Sequence, residues 1–410
     1  MTSLAIFVVL IFLYSLISGR LARTIVTPQI VFTVAGFLVY LAVPEVLEGP
    51  YASELELWLH IAELGLVLLL FTDASRTDLK ALNRIRNLPA RLLSIGLLFT
   101  IFLGGLCALV LFGQLSVWEA GILGAILAPT DAGLGQIIVN SPRVPLKIRE
   151  ALNVEAGLND GLAVPFLLFF MALAGHATPG SDVSLAKHIV EQLGYGALVG
   201  LCIGLVGGWF LGAANRRRWV EPVWRPLGVV AIPLLCALAS EAAVTSMFIA
   251  AFVAGLSVQV GFKQAGKHSV DFAEDWGEAL NLAIFFLFGM LAARASGQFQ
   301  FVHVLYAVLS LTFVRMLPVA IALMGTRLSL PTVLFMGWFG PRGLASIVLA
   351  LVYLGEASNA PNAPLIRTTV MMTVLLSIFA HGFSAVPGIG QYGRTIERLP
   401  PDAPELEPVE

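Results

Sequence analysis

Apolar runs of about 15 to 28 residues recur from one end of the chain to the other, and the polar positions inside them are few enough to name. They start near residues 3, 25, 57, 90, 116, 150, 187, 227, 241, 277, 299, 330 and 365. Since roughly 17 to 25 mostly apolar residues cross a bilayer as a helix, the pattern predicts about thirteen transmembrane helices. The links between them are short. The expectation is an all-α polytopic membrane protein whose chemistry lies inside the bilayer.

Composition agrees. Of 410 residues, 58% are hydrophobic and 12% charged, about half the charged fraction of an ordinary soluble domain; mean hydropathy is +0.88. Met1 to Ser15 is apolar without a basic segment before it or a small-residue cleavage site after it, which predicts a retained first helix. Cys107, Cys202 and Cys236 have no metal-ligand spacing, so neither a zinc site nor a disulfide framework is expected. No cofactor and no nucleic-acid partner is implied.

Charge adds topology. Basic residues gather in alternate links: Arg20 and Arg23; Arg76, Lys80, Arg84, Arg86 and Arg91; Arg143, Lys147 and Arg149; Arg216, Arg217, Arg218 and Arg225; Lys263 and Lys267; Arg327; Arg394 and Arg398. Because basic loops stay in the cytoplasm, this alternation places the N-terminus outside and the C-terminus inside. Compact links point to a prokaryotic inner membrane. Residues 1–387 form the transmembrane unit; 388–410 are short, acidic and proline-rich, and are expected to be a disordered cytoplasmic tail, too small for a nucleotide-binding regulatory domain.

Against this background the interior charges stand out, because an ionisable group at membrane depth is costly and normally faces protein or a water-filled cavity. In "ILAPTDAGLGQ", Pro129, Gly133 and Gly135 surround Thr130 and Asp131 and predict a broken helix with freed carbonyls. In "ALNVEAGLNDGLAVPFLLFF", Glu155 and Asn159 share a helix face, with Asp160 about 140° around from Glu155. "FVRMLPVAI" buries Arg315, and in "GWFGPRGLASI" Gly340, Pro341 and Gly343 bracket Arg342. Two interrupted helices at corresponding places in two halves of a chain mark an inverted-repeat transporter with an ion site where the breaks cross. Asp73, in "LVLLLFTDASRTDL", reads as a helix-end carboxylate, capped or paired with Arg76. Charge balance pairs Glu155 with Arg315 and sets Arg342 against Asp131 or the half-helix ends, leaving Asp160 without a fixed partner.

Taken together, "GLNDG" preceded by Glu155, "APTDAG", "FVRMLPV" and "GPRGLAS", with support from "FTDAS", "MFIAAFVAGL" and "IFFLFGM", resemble the sodium/proton exchanger branch of the monovalent cation/proton antiporters, over nearly the whole chain and in the family's order. The resemblance implies an antiporter fold with a core of spans at about 90–175 and 299–387, the remaining spans forming a scaffold and dimer domain. It implies that Asp160 binds H⁺ and Na⁺ in turn, with Thr130 as a cation ligand and Asn159 and Asp131 beside it. It further implies a structural ion bridge between Glu155 and Arg315, and Arg342 as the charge of the second crossing helix. Asn159 stands where electrogenic relatives carry a second aspartate, so the resemblance implies electroneutral exchange serving sodium transport and pH homeostasis. The protein would be a homodimer in the bilayer. One departure is Ala156, where the family usually has a serine that offers the cation an oxygen.

Two other functions fit part of the pattern. A K⁺/H⁺ antiporter shares the fold, although such relatives usually append a nucleotide-sensing domain. An intramembrane aspartyl protease would use Asp131 and Asp160 as a dyad, but that leaves Arg342 and the paired breaks unexplained and lacks the glycine-x-glycine-aspartate pattern. A channel or carboxylate transporter would need Arg315 and Arg342 free for substrate.

Overall fold

The computed structural model describes residues 2–21, 24–47, 52–76, 87–176, 190–262, 269–356, 360–400 and 402–407. Arg23, Lys80, Arg84, Arg86, Lys263 and Lys267, used above for topology, lie outside these. Among the described residues all regular structure is helical. It falls into thirteen passes: α1 (Thr2–Leu21), α2 (Pro28–Ala42), α3 (Ala52–Arg76), α4 (Leu97–Leu111), α5a (Val117–Ile126) with α5b (Ala132–Val139), α6 (Leu146–His176), α7 (Gly196–Arg216), α8 (Trp224–Ala242), α9 (Met247–Gly261), α10 (Ser269–Ala295), α11a (Phe301–Leu311) with α11b (Phe313–Ala322), α12a (Leu330–Trp338) with α12b (Leu344–Glu356), and α13 (Ala363–Ile396). Among the described residues, eight helical segments are long and apolar enough by themselves to cross a membrane. The chain is a multi-pass membrane protein.

Helix starts follow capping chemistry. Thr27 accepts from the Ile30 amide with Pro28 in the first turn of α2, and Ser116 and Glu119 form a reciprocal capping box on α5a. Ser246 caps α9, which therefore begins later than the residue near 241 expected from hydropathy. Two basic residues neutralise helix C-termini: Arg91 Nη1 donates to the carbonyls of Ala322 (3.2 Å) and Met324 (2.6 Å), and Arg149 Nη1 to that of Val139 (3.3 Å).

Close helix pairs build the rest. Gly196, Gly200, Gly204, Gly208 and Gly212 form a buried stripe along α7 that lets its backbone approach α9 at Ala250, Ala254 and Val258, as small residues do between membrane helices. Outward faces such as Val8, Phe12 and Leu16 of α1 and Trp209 and Phe210 of α7 stay exposed and apolar, as lipid contact requires.

Two local features depart from the sequence reading. The eleventh pass breaks at Thr312, three residues before Arg315, with Pro318 one turn on removing an amide donor from the following helix. The stretch after Pro387, expected to be disordered, continues as α13 to Ile396 and ends in a short 3-10 turn, Pro404–Leu406. There Glu405 is buried and accepts from the Ser329 amide (2.7 Å) and the Thr332 hydroxyl (2.9 Å) at the start of α12a, while Lys147 Nζ bonds the Pro404 carbonyl (3.0 Å) and Glu407 (2.6 Å). A carboxylate supplied to the amide end of a helix explains why an acidic, proline-rich segment is ordered.

Candidate functional site

The fifth and twelfth passes unwind at the same place and cross. In the fifth, Leu127 to Thr130 leave the helix and Asp131 restarts it, its Oδ1 accepting from the Leu134 amide at 2.8 Å. In the twelfth the link is Phe339 to Gly343. Each break leaves orphan carbonyls at the end of one half helix and orphan amides at the start of the next, and no water in hydrocarbon can satisfy them.

The two breaks satisfy each other. The Asp131 amide donates to the Pro341 carbonyl (2.7 Å), and Asp131 Oδ2 accepts from the Leu344 amide (2.5 Å), so one carboxylate sits on the N-termini of both α5b and α12b. In return Arg342 Nη1 donates to the carbonyls of Ala128 and Pro129, the latter at 2.9 Å, and Ser346 Oγ to that of Ile126 (2.8 Å), at the C-terminus of α5a. Of the two partners open to Arg342 from sequence, it takes the half-helix end. Asp131, grouped with the exchanging residues by sequence, uses both oxygens on backbone amides.

Glycines in "GPRG" make room for charge. A side chain at Gly343 would run into the Asp131 carboxylate, and one at Gly340 into the Arg315 guanidinium. That guanidinium forms a two-pronged bridge to Glu155, at 2.5 Å to Oε1 and 3.0 Å to Oε2, with both side chains 3% exposed. The pair locks α6 to α11b beside the break.

One turn along α6, Asn159 Nδ2 donates to Thr130 Oγ1 at 2.6 Å, which ties the unwound link of the fifth pass to α6. With the amide nitrogen so engaged, Asn159 Oδ1 is buried without a hydrogen-bond partner among the described residues, as is Asp160 Oδ1. Both residues are buried. Arg315 Nε, Arg342 Nε and Arg342 Nη2 at the crossing are unpaired in the same way; a buried unpaired atom calls for a reason, and a bound ion or water is one. Asp73, in the last turn of α3, packs against Gly157, three residues before Asp160.

A small pocket beside the crossing is lined by Thr130, Asp131, Val139, Leu152, Glu155 and Ala156. Asp160, one turn beyond Ala156 on α6, does not line it. Ala156 contributes a methyl to the lining. Among the described residues no cluster of His, Cys, Asp and Glu could hold a resident metal.

The sequence reading missed Ser377 and His381 of α13. Ser377 Oγ accepts from the Arg342 amide (2.7 Å) and His381 Nε2 lies 2.9 Å from the Trp338 carbonyl. The signal was available: Thr369, Thr373, Ser377 and His381 recur every four residues in an otherwise apolar span.

Residues 6–388 match the family model for the sodium/hydrogen exchanger, transmembrane. The chain belongs to the sodium/hydrogen exchanger family. Relatives within reach include a K⁺/H⁺ antiporter NhaP of Alkalimonas amylolytica, 26% identical over 387 residues, covering 92% of this chain and 64% of the relative. A Na⁺/H⁺ antiporter of Schizosaccharomyces pombe is 24% identical over 310 residues, covering 68% and 65%. The chain thus spans just under two thirds of the length of these family members. The sodium proton antiporter MjNhaP1 of Methanocaldococcus jannaschii, solved at pH 8, shares the fold with a TM-score of 0.76 at 21% identity, over 93% of this chain and 99% of that one.

Proposed function

We propose that the protein is a secondary transporter that exchanges Na⁺ for H⁺ by competition at Asp160, with alternating access and no net charge moved. The observation that carries this reading is the partnering of the three carboxylates at the crossing. Glu155 is held by Arg315 and Asp131 by two helix N-termini, whereas Asp160 keeps a buried oxygen with no partner among the described residues. Na⁺ is a hard cation that takes oxygen ligands, and Asp160 Oδ1, Asn159 Oδ1, the Thr130 oxygen and water are of the kind it takes. Protonation of Asp160 expels the cation. An uncovered carboxylate is costly to carry through the bilayer, so only the loaded forms cross, and that condition enforces exchange. One carboxylate that takes either one proton or one monovalent cation moves no net charge per cycle.

The same reading assigns the spans at about 90–175 and 299–387 to the moving core and the remaining passes to a scaffold, in a homodimer of a prokaryotic inner membrane with the N-terminus outside and the C-terminus in the cytoplasm. It needs no cofactor. K⁺ is the rival substrate, favoured by two observations: Ala156 offers a methyl, not a hydroxyl, to the pocket, and the Alkalimonas relative is named for K⁺.

The test is reconstitution in proteoliposomes with an imposed pH gradient. Na⁺ should collapse the gradient without generating a potential, K⁺ and Li⁺ being measured beside it, and Asp160→Asn should be inactive while folded. Transport that survives in Asp160→Asn removes the site; transport that generates a potential overturns electroneutrality.

A further inference from the structure

The polar stripe of α13 has two parts. Thr369 and Thr373 bond carbonyls of their own helix, Leu365 and Thr369, both at 2.8 Å. Ser377 and His381 reach the second break instead. The Trp338 carbonyl, at the C-terminal end of α12a, takes the Gly340 amide at 2.9 Å and faces His381 Nε2 at 2.9 Å. Both ring nitrogens face carbonyls, Nε2 that of Trp338 and Nδ1 that of Ser377 at 2.9 Å, with Ser377 Oγ 3.1 Å from Nδ1; a neutral ring carries one N–H, and the tautomer sets which carbonyl receives it. Ser377 Oγ in turn accepts the Arg342 amide.

The contacts form one chain, from the Arg342 N–H to Ser377 Oγ, from Oγ to the His381 ring, and from Nε2 to the Trp338 carbonyl. Both sides of the α12 break are thereby fastened to one rigid, buried helix. What they hold in place is specific. Arg342 carries the guanidinium that meets the end of α5a, and two residues later Leu344 presents its amide to Asp131.

We propose that Ser377 and His381 are positioning residues for ion exchange: they hold the α12 break open at the geometry in which Arg342 and Leu344 shape the unwound link that carries Thr130. This rests on exchange at Asp160 as proposed above. Neither residue is among the cation's ligands, so their loss loosens the site and leaves its chemistry intact.

The experiment compares His381→Ala, His381→Gln, Ser377→Ala and the double alanine variant in proteoliposomes. It reads Na⁺- and K⁺-driven proton movement against cation concentration, with thermal unfolding in detergent as the control for folding. Losing one hydrogen bond of the chain should raise the apparent KM about fivefold with maximal rate within about twofold of wild type. His381→Gln, whose side-chain amide stands in for Nε2, should return KM to within about twofold, and the double variant should be no worse than the worse single, because either cut breaks the same chain. Folded Ser377→Ala or His381→Ala with a wild-type KM overturns the proposal, as does a loss of rate with KM unchanged. Should His381→Ala not fold, Ser377→Ala and His381→Gln decide by the same criteria. Asp160→Asn is run alongside: exchange surviving there overturns the site reading, while the KM shifts, read in the wild-type background, stand or fall separately.

Discussion

Removing Glu155 should damage the fold rather than the ion site. In Glu155→Ala the Arg315 guanidinium, 3% exposed and bonded at 2.5 and 3.0 Å, loses the carboxylate that pairs with it among the described residues and stays buried. Leaving one member of a buried pair uncompensated costs about 3 to 5 kcal/mol, whereas replacing both by apolar groups of similar volume is about neutral or better. Arg315 also packs on Gly340, so a displaced guanidinium presses on the second break. The assay is thermal unfolding followed by tryptophan fluorescence in detergent for Glu155→Ala, Glu155→Gln, Arg315→Met and Glu155→Leu/Arg315→Met. For a chain of this size the single alanine should lower Tm by roughly 5 °C. Glu155→Gln, which keeps an acceptor, should fall in between, and the double variant should lose much less than the two singles together, a coupling of at least about 2 kcal/mol. A Glu155→Ala protein melting within a degree of wild type, or a double variant as unstable as the sum of its singles, would refute the reasoning.

Two further outcomes are expected. Gly343→Ala sets a methyl against the Asp131 carboxylate and should cut exchange at least about tenfold by dislodging a helix cap; a variant transporting at the wild-type rate would mean that Asp131 is not needed where it stands. Glu405 is a titrating strap: burial by itself would raise its carboxyl, but bonds from the Ser329 amide and hydroxyl and the Thr332 hydroxyl outweigh that and hold it below the usual value. A carboxyl lowered on folding adds stability that is complete above its unfolded pKa of about 4.3 and is lost as pH falls through the folded value. Wild type should therefore melt above Glu405→Gln by a constant margin from pH 6 to 8, with the margin closing only below about pH 4; a margin already gone at pH 6 sinks the assignment.

How much of this could be read from the sequence depended on cost. Glu155, Asp160, Arg315 and Arg342 were legible because a charge in an apolar run needs a reason, and few reasons exist at membrane depth. The breaks were legible because Pro129, Pro341 and their glycines interrupt a ladder that lipid forbids to be left open. The pairing of Glu155 with Arg315 was legible too; the partner of Arg342 was not. Arg342 had two anionic possibilities, and only the crossing of the passes puts its guanidinium on the Ala128 and Pro129 carbonyls and the Asp131 carboxylate on Leu344. Nor was the tail. Composition averages over a segment, whereas its order comes from one carboxylate finding one helix N-terminus some seventy residues upstream. Ser377 and His381 escaped because hydroxyls and imidazoles are cheap enough in a helix to pass unremarked, and their meaning lies in a neighbouring break.

The inverted symmetry of the crossing is broken in a way that bears on charge. The α5 break is completed by Arg342 and Ser346 of the twelfth pass, but the α12 break needs Asp131 and also the side chains of α13. At the crossing the buried charges other than Asp160 are Asp131, Glu155, Arg315 and Arg342, two negative and two positive, each committed to a partner. Their sum is zero. The core is then neutral when Asp160 holds a proton or a monovalent cation and carries one negative charge when it holds neither. A membrane potential does work of about 2.3 kcal/mol per elementary charge per 100 mV, so it acts on the empty core and leaves both loaded forms untouched. With exchange at Asp160 as proposed, insensitivity of the loaded forms to voltage follows from these fixed charges, and a second titrating acid at position 159 would undo it.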